Sequence, residues 1–362
     1  MNVTVRGTAS AFPRVTEAQL RESLSIVHGN LHDAGTNLFT VVRNEIFFLP
    51  AFFDHYRRLG VEQFVILDDG STDGTAGFLA AQRDCVSLRS SFAYKDHIEL
   101  EAEDRSVGRE RAGIALKKAM AQKYLMGKFA LYVDADEFLI LPRSFGDLPA
   151  LIADCIAAGV DCVAASLIDF YPPTLEGLSA GPSAGSFNEL VATYSCFDAV
   201  PIVQLSAGRQ PKKAGLSASG RLFRQCGIRE PRGLLSWMPQ WAAEALPFPE
   251  PRSPWLKTPL IHFTEKVWLD GSHKANVPPA FDRLLALVHF KFTADFKRRI
   301  DAAVRQRTHF RSSQTYRYYR QLLQRIEERG GALSGPKTET YSGPAGFVSA
   351  GLAFWPKSSV QD

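Results

Sequence analysis

Gln63-Phe64-Val65-Ile66-Leu67-Asp68-Asp69-Gly70-Ser71-Thr72-Asp73-Gly74-Thr75 is the stretch on which the fold turns. Its first five residues are a continuous apolar and β-branched run, the pattern of a strand buried on both faces. The Asp, Gly, Ser and Thr residues that follow end the strand in a turn, and a helix start is expected over Ala76 to Gln82. Upstream, N-L-F-T-V-V-R within Thr36 to Arg43 reads as a second buried strand. Glu45 to Leu59 then places Phe48, Phe52, Tyr56 and Leu59 at helical spacing, with Pro50 in the first turn and Gly60 as a stop. Downstream, Asp104 to Met126 predicts a long helix with Val107, Ile114, Leu116, Met120 and Leu125 on its apolar side. Phe129 to Val133 and Val160 to Ile168 read as further strands. Such β-α-β-α alternation predicts a parallel sheet flanked by helices.

The chain has 362 residues, room for one large α/β domain with appendages, since single cores stop growing near roughly 250–300 residues. At 45% hydrophobic and 22% charged residues the composition excludes disordered, fibrous and collagen-like chains. With 42 basic against 38 acidic residues the net charge is +4, too small to argue for nucleic acid as a partner. Met1 to Ser10 carries Arg6 without an apolar segment behind it, and no uncharged apolar run is long enough to span a bilayer, so neither a signal peptide nor a transmembrane helix is expected. The five cysteines, never in C-x-x-C spacing, point to a reducing cytoplasm rather than to disulfides or a zinc site. From Tyr171 to about Pro259 clusters of Pro, Gly and Ser predict long loops over the sheet edge. Phe281 to Val304 and Ser312 to Arg329 return to helical period with basic stretches, and H-F-K-F at His289 to Phe292 reads as helix packing. Gly330 onward is expected to be flexible.

Ligands of parallel α/β sheets bind beyond the carboxyl ends of the strands, where this sequence puts Asp68-Asp69 and Asp134-Ala135-Asp136. In an extended segment Asp134 and Asp136 leave the same face, and such a pair suits Mn²⁺ or Mg²⁺, which take one or two protein carboxylates and fill the rest with water and substrate phosphates. A pair of solvated strand-end carboxylates is the bland alternative. D-D-G-S-T-D-G-T is equally a good turn composition. As an EF-hand loop starting at Asp69 it fails, because Ala80 rather than Glu stands at the twelfth position.

Taken in order, V-R-N-E at Val42 to Glu45, D-D-G-S-T-D-G-T at Asp68 to Thr75 and Y-V-D-A-D-E-F at Tyr132 to Phe138 resemble a family 2-type glycosyltransferase of the GT-A fold. More closely, the chain is similar to a bacterial subgroup often found in surface-polysaccharide gene sets. The resemblance covers Thr36 to Leu141, with weaker echoes in Trp255 to Asn276 and His289 to Phe292. It implies a Rossmann-like, mixed and mostly parallel sheet flanked by helices, with a loop-rich acceptor region and C-terminal helices. The expected divisions are an N-terminal extension (1–35), the GT-A domain (36–280, with a nucleotide-sugar half at 36–141 and an acceptor half at 142–280), C-terminal helices (281–329) and a tail (330–362).

The resemblance further implies a cytoplasmic enzyme, with peripheral contact to the inner membrane face as an extension of that expectation. It would move a sugar from a UDP- or GDP-sugar to a glycan, lipid-linked or protein acceptor, with inversion. Arg43, Asn44 and Glu45 would border the nucleotide base, Asp68 or Asp69 would meet base or ribose, and Asp134 would face the ribose or metal-bound water. Asp136 would hold the metal, and Arg109 or Arg111 would lie near the donor. His273, ahead of His262, would complete the metal site, and Lys257 would meet the diphosphate. Asp169 and Glu137 are the candidate bases, with Glu189 and Glu244 behind them, since the familiar E-D pair is missing. Two other classes stay in view. A sugar-phosphate nucleotidylyltransferase needs a Gly-rich phosphate loop that Arg43-Asn44-Glu45 does not provide, and a non-catalytic glycan- or nucleotide-binding protein would keep the fold alone. A glycosidase also needs two carboxylates, but the order of motifs after parallel strands favours donor binding.

Overall fold

A computed structural model describes residues 12–102, 105–179, 185–231, 238, 240–243, 246–300 and 310–356. Asp104, Glu244 and the outermost stretches of the extension and tail lie outside these residues. At the centre is a nine-stranded sheet. In chain order its strands are β1 (Leu24–His28), β2 (Asn37–Val42), β3 (Gln63–Asp68), β4 (Cys85–Ser90), β5 (Phe129–Tyr132), β6 (Glu137–Ile140), β7 (Cys162–Asp169), β8 (Leu256–His262) and β9 (Leu285–His289). In space they lie in the order β1-β4-β3-β2-β5-β8-β7-β9-β6. Strands β2, β3, β4, β5, β7 and β9 run one way and β1, β6 and β8 the other, so the sheet is mixed.

Alternation along the strands fills two layers. On β3, Phe64 and Ile66 enter one core with the helices Leu49–Arg58 and Leu148–Ala157, while Val65 and Leu67 enter the other with Glu17–Ser23 and Ala112–Tyr124. Phe53 stacks on Phe64 at 4.2 Å between ring centres, and each such buried side chain contributes roughly 1.5–3 kcal/mol. Pro50 is tolerated as expected, within the first turn of Leu49–Arg58, where no intrahelical bond needs its missing N–H. A third core joins the helix Ala218–Gln225 to Phe292, Phe296 and the helix Phe310–Glu328.

Several expectations change. The helix read over Asp104 to Met126 starts only at Ala112. Val107–Arg111 is a strand in a separate three-stranded sheet, paired antiparallel to His97–Glu101, which itself pairs with Arg14–Thr16. Its V-G-R-E-R sequence has an interior Gly that costs a helix, and pairing in a hairpin with the preceding strand decides the outcome. The extension supplies β1, and β9 lies beyond the expected domain end at 280, so the sheet crosses both boundaries. The supposed loop region contains β8 at its end and short elements such as Phe187–Thr193 and Cys196–Asp198 before it. Phe281 to Val304 is not one helix, because β9 occupies its middle and helix appears only at 296–300 within the described residues. The described part of the tail, 330–356, is packed rather than flexible. Thr338–Thr340 pairs with Cys196–Asp198, and Leu333, Phe347 and Leu352 are buried.

Candidate functional site

Five strands running the same way deliver chemistry to one edge of the sheet: β2 leads into Arg43-Asn44-Glu45, β3 ends at Asp68, β5 leads into Asp134 and Asp136, β7 ends at Asp169 and β9 at His289. The first two loops are stitched together. Asn44, at a φ of 58° that Asn tolerates better than most residues, donates its N–H to Ser71 Oγ (2.9 Å) and accepts from Thr72 N on Oδ1 (2.7 Å). Glu45 N donates to Thr75 Oγ1 at 3.0 Å. Asp68 Oδ1 accepts from Ser71 N and Oγ, while Arg43 and Tyr94 N occupy the two oxygens of Asp69. Much of D-D-G-S-T-D-G-T is therefore turn architecture. The exception is Asp68 Oδ2, which is buried without a hydrogen-bond partner, as is Oε2 of Glu45 in the neighbouring loop.

Asp134 and Asp136 do not share an extended face as the sequence suggested. The chain turns at residues 135–136, closed by Glu137 N donating to Asp134 O and by the Glu137 carboxylate accepting from Asp134 N at 2.7 Å. The two carboxylates thereby enter different surroundings. Asp134, 39% exposed, accepts from Tyr132 Oη at 3.0 Å and pairs with Lys257 Nζ at 3.1 Å. Burial works to raise its pKa, but Lys257, Lys117 and His273 more than offset that and hold it well below the usual carboxylate range. Asp136 is buried, with Arg299 Nη1 at 2.9 Å and His289 Nε2 at 3.6 Å from its Oδ2. Its pKa too is held low, against the burial effect, by those two groups.

His289 is the residue that sequence reasoning missed. Its Nδ1 lies 3.0 Å from Asp169 Oδ1, and Asp169 Oδ2 accepts from Ser219 N (2.9 Å) and Ser219 Oγ (2.7 Å). Burial alone would lower the imidazole pKa, yet Asp136 and Asp169 push it up to about 9. The signal was present: L-A-L-V before His289 is a four-residue apolar run of the kind read as a strand elsewhere in the chain. Arg299, Lys117 and Lys291 were missed as well. Lys117 donates to Tyr94 Oη and Ser272 Oγ, and Lys291 sits over the Tyr319 ring at 4.5 Å with its charge felt at Asp169. Nothing in the sequence separates these cations from surface ones.

Other expected residues fall out differently. His273 lies on the Lys257, Lys117 and Asp134 side with a buried, unpartnered Nδ1, and burial followed by the neighbouring lysines pulls its pKa down to about 4. His262 stacks on Phe129 and bonds Asp161, at the opposite end of β8 from Lys257. Arg109 is 69% exposed and pairs with Glu99, and Arg111 closes the same small strand, so the expected donor-side helix face does not exist there. Glu189 spends its carboxylate on Gly185 N and Ser186 Oγ at a helix start. Glu137, buried, is bonded to Lys257 and to Asp134 N.

Among the described residues no three or more His, Cys, Asp or Glu side chains form a self-sufficient metal cage. The Mn²⁺ or Mg²⁺ implied by the resemblance does not need one, since a diphosphate-bound ion uses one or two protein ligands. The donor set suits that ion: a carboxylate facing an imidazole nitrogen whose other nitrogen is fixed by a second carboxylate. Compared with known proteins, the chain matches no family model, and no curated protein matches it. Among the described residues no helix is long and apolar enough to cross a membrane.

Proposed function

We propose that the chain is a GT-A-type glycosyltransferase that moves a sugar from a UDP- or GDP-sugar to a glycan, lipid-linked or protein acceptor, with inversion. The observation that carries this reading is Asp136 facing His289 Nε2 at 3.6 Å amid Arg299, Lys291 and Lys257, at the same sheet end as the open oxygen of Asp68. Carboxylate, imidazole and surrounding cations together suit a metal-bound diphosphate, and an acid at the end of a neighbouring strand suits a ribose hydroxyl or base edge. Asp136 and His289 would hold Mn²⁺ or Mg²⁺, with Asp134 beside them. When bound, the ion supplies Lewis-acid neutralisation of the leaving diphosphate. Asp68 Oδ2 orients the nucleoside, and the basic side chains stabilise the charge that grows as the anomeric bond breaks. Glu45, whose burial pushes its pKa up to about 8 against the pull of Arg299, keeps an open oxygen for a proton at this edge.

A second reading, binding without catalysis, is favoured by one observation: both oxygens of Asp169 are engaged, and Glu137 spends Oε2 on Lys257 and on Asp134 N. Calorimetric titration of UDP and GDP with and without Mn²⁺, repeated on Asp136→Ala, tests the first. Binding that requires Mn²⁺ and disappears in the variant is expected. Failure of both nucleotides under both conditions would overturn it, and metal-dependent binding without any donor turnover would favour the second.

A further inference from the structure

We propose, resting on the transferase reading, that Asp169 is not the base of the reaction but the positioning residue of His289, with Ser219 fixing Asp169 in turn. A general base must reach the acceptor hydroxyl with a free lone pair. Asp169 is poorly placed for that: it is 3% exposed, Oδ1 meets His289 Nδ1, and Oδ2 takes both the N–H and the hydroxyl of Ser219. What the carboxylate does is fix a ring. With Nδ1–H donated to Asp169, the imidazole keeps Nε2 for whatever lies toward Asp136, and the ring cannot turn without breaking a bond between buried charged groups.

The anchor is itself rigid. Ser219 lies in the first turn of Ala218–Gln225, where backbone N–H groups have no intrahelical partner, and Ser217 caps that helix by accepting from Gly220 N. The carboxylate of Asp169 thus satisfies an otherwise orphaned N–H and sits at the favourable end of the helix dipole. Ser219, Asp169, His289 and Asp136 form one line of contacts from the third core to the sheet edge. Hydrogen bonds run unbroken from Ser219 through Asp169 to His289 Nδ1, and the step from His289 Nε2 to Asp136 Oδ2, at 3.6 Å, is the longest in the line.

A positioning role and a base role separate in metal binding. Mn²⁺ is titrated into the full chain with and without UDP, free ion being read by electron paramagnetic resonance, for the parent protein, Asp169→Asn, Ser219→Ala and His289→Ala. Asp169→Asn is expected to weaken Mn²⁺ binding about 10–100-fold. Ser219→Ala should weaken it severalfold, and His289→Ala at least as much as Asp169→Asn, with thermal unfolding reporting that each variant is folded. Should Asp169→Asn not fold, Ser219→Ala carries the comparison alone. Parent-like Mn²⁺ affinity in the folded variants, whether or not sugar transfer is lost, overturns the assignment. So does a parent chain that binds no Mn²⁺. The transferase reading fails separately, through absence of UDP and GDP binding in the parent.

Discussion

Lys257 Nζ lies 3.1 Å from Asp134 Oδ2 with none of the lysine side chain exposed. The same ammonium bonds Glu137 and sits 4.4 Å above the Tyr132 ring. Its pKa is raised because Asp134 and Glu137 outweigh the burial that would lower it. Removing one partner of a buried ion pair strands the other, at about 3–5 kcal/mol. Lys257→Met is therefore expected to lose stability on that scale in urea unfolding, with part of it recovered when Glu137→Gln is added. A loss below about 1 kcal/mol for the single variant would mean that the pair is not held as described.

His55 sets an acid limit on stability. It is buried in the helix Leu49–Arg58, with Nε2 2.9 Å from Leu139 O, and burial lowers its pKa from 6.5 to about 4. Below pH 6.5 the unfolded chain takes up a proton that the folded chain refuses until about pH 4, so this contribution falls as pH drops through that window. Between pH 7 and 5 the loss from this group is about 2 kcal/mol. His55→Gln should flatten that part of the profile. An unchanged slope between the two proteins in denaturant titrations would contradict the assignment.

Phe347 tests the packed tail. It is buried against Phe197 at 5.1 Å and Tyr341 at 5.2 Å between ring centres. Phe347→Ala should cost about 3–5 kcal/mol in chemical unfolding, as for other core aromatics. A flexible tail would make the substitution silent.

Gly113 tests the support of Lys117. A Cβ at this position would meet the Tyr94 ring at 2.3 Å, and Tyr94 Oη accepts from Lys117. Gly113→Ala is expected to cost about 1–3 kcal/mol by overpacking and to weaken nucleoside diphosphate binding, read by thermal unfolding and calorimetry together. Parent-like values in both would show that Tyr94 can move away freely.

The strands that build the site's edge were legible where their apolar runs are continuous, as in F-V-I-L and F-A-L-Y, and so was the turn after the first of them. Pairing between distant segments was not. His289 gains its surroundings from Asp136 and Asp169, which other segments of the chain carry. The different partners of Asp134 and Asp136 depend on a turn closed by Glu137, which spacing alone does not reveal. Burial of Lys257 and the pairing of Arg299 with Asp136 are likewise properties of the assembled fold.

Asp136 and Arg299 are 163 residues apart in the chain, and Asp169 and His289 120. Closing loops of that length precedes any reward from the contacts they allow, which slows folding. On a ribosome the first half of the sheet can assemble early, whereas β9 and the segment carrying Arg299 come out well after it. Nascent chains halted before His289 would thus hold the Asp68 loop and the Asp134 turn without the groups that neutralise Asp136. The sheet edge that carries Asp136, Asp169 and His289 is complete only after Arg299 has emerged.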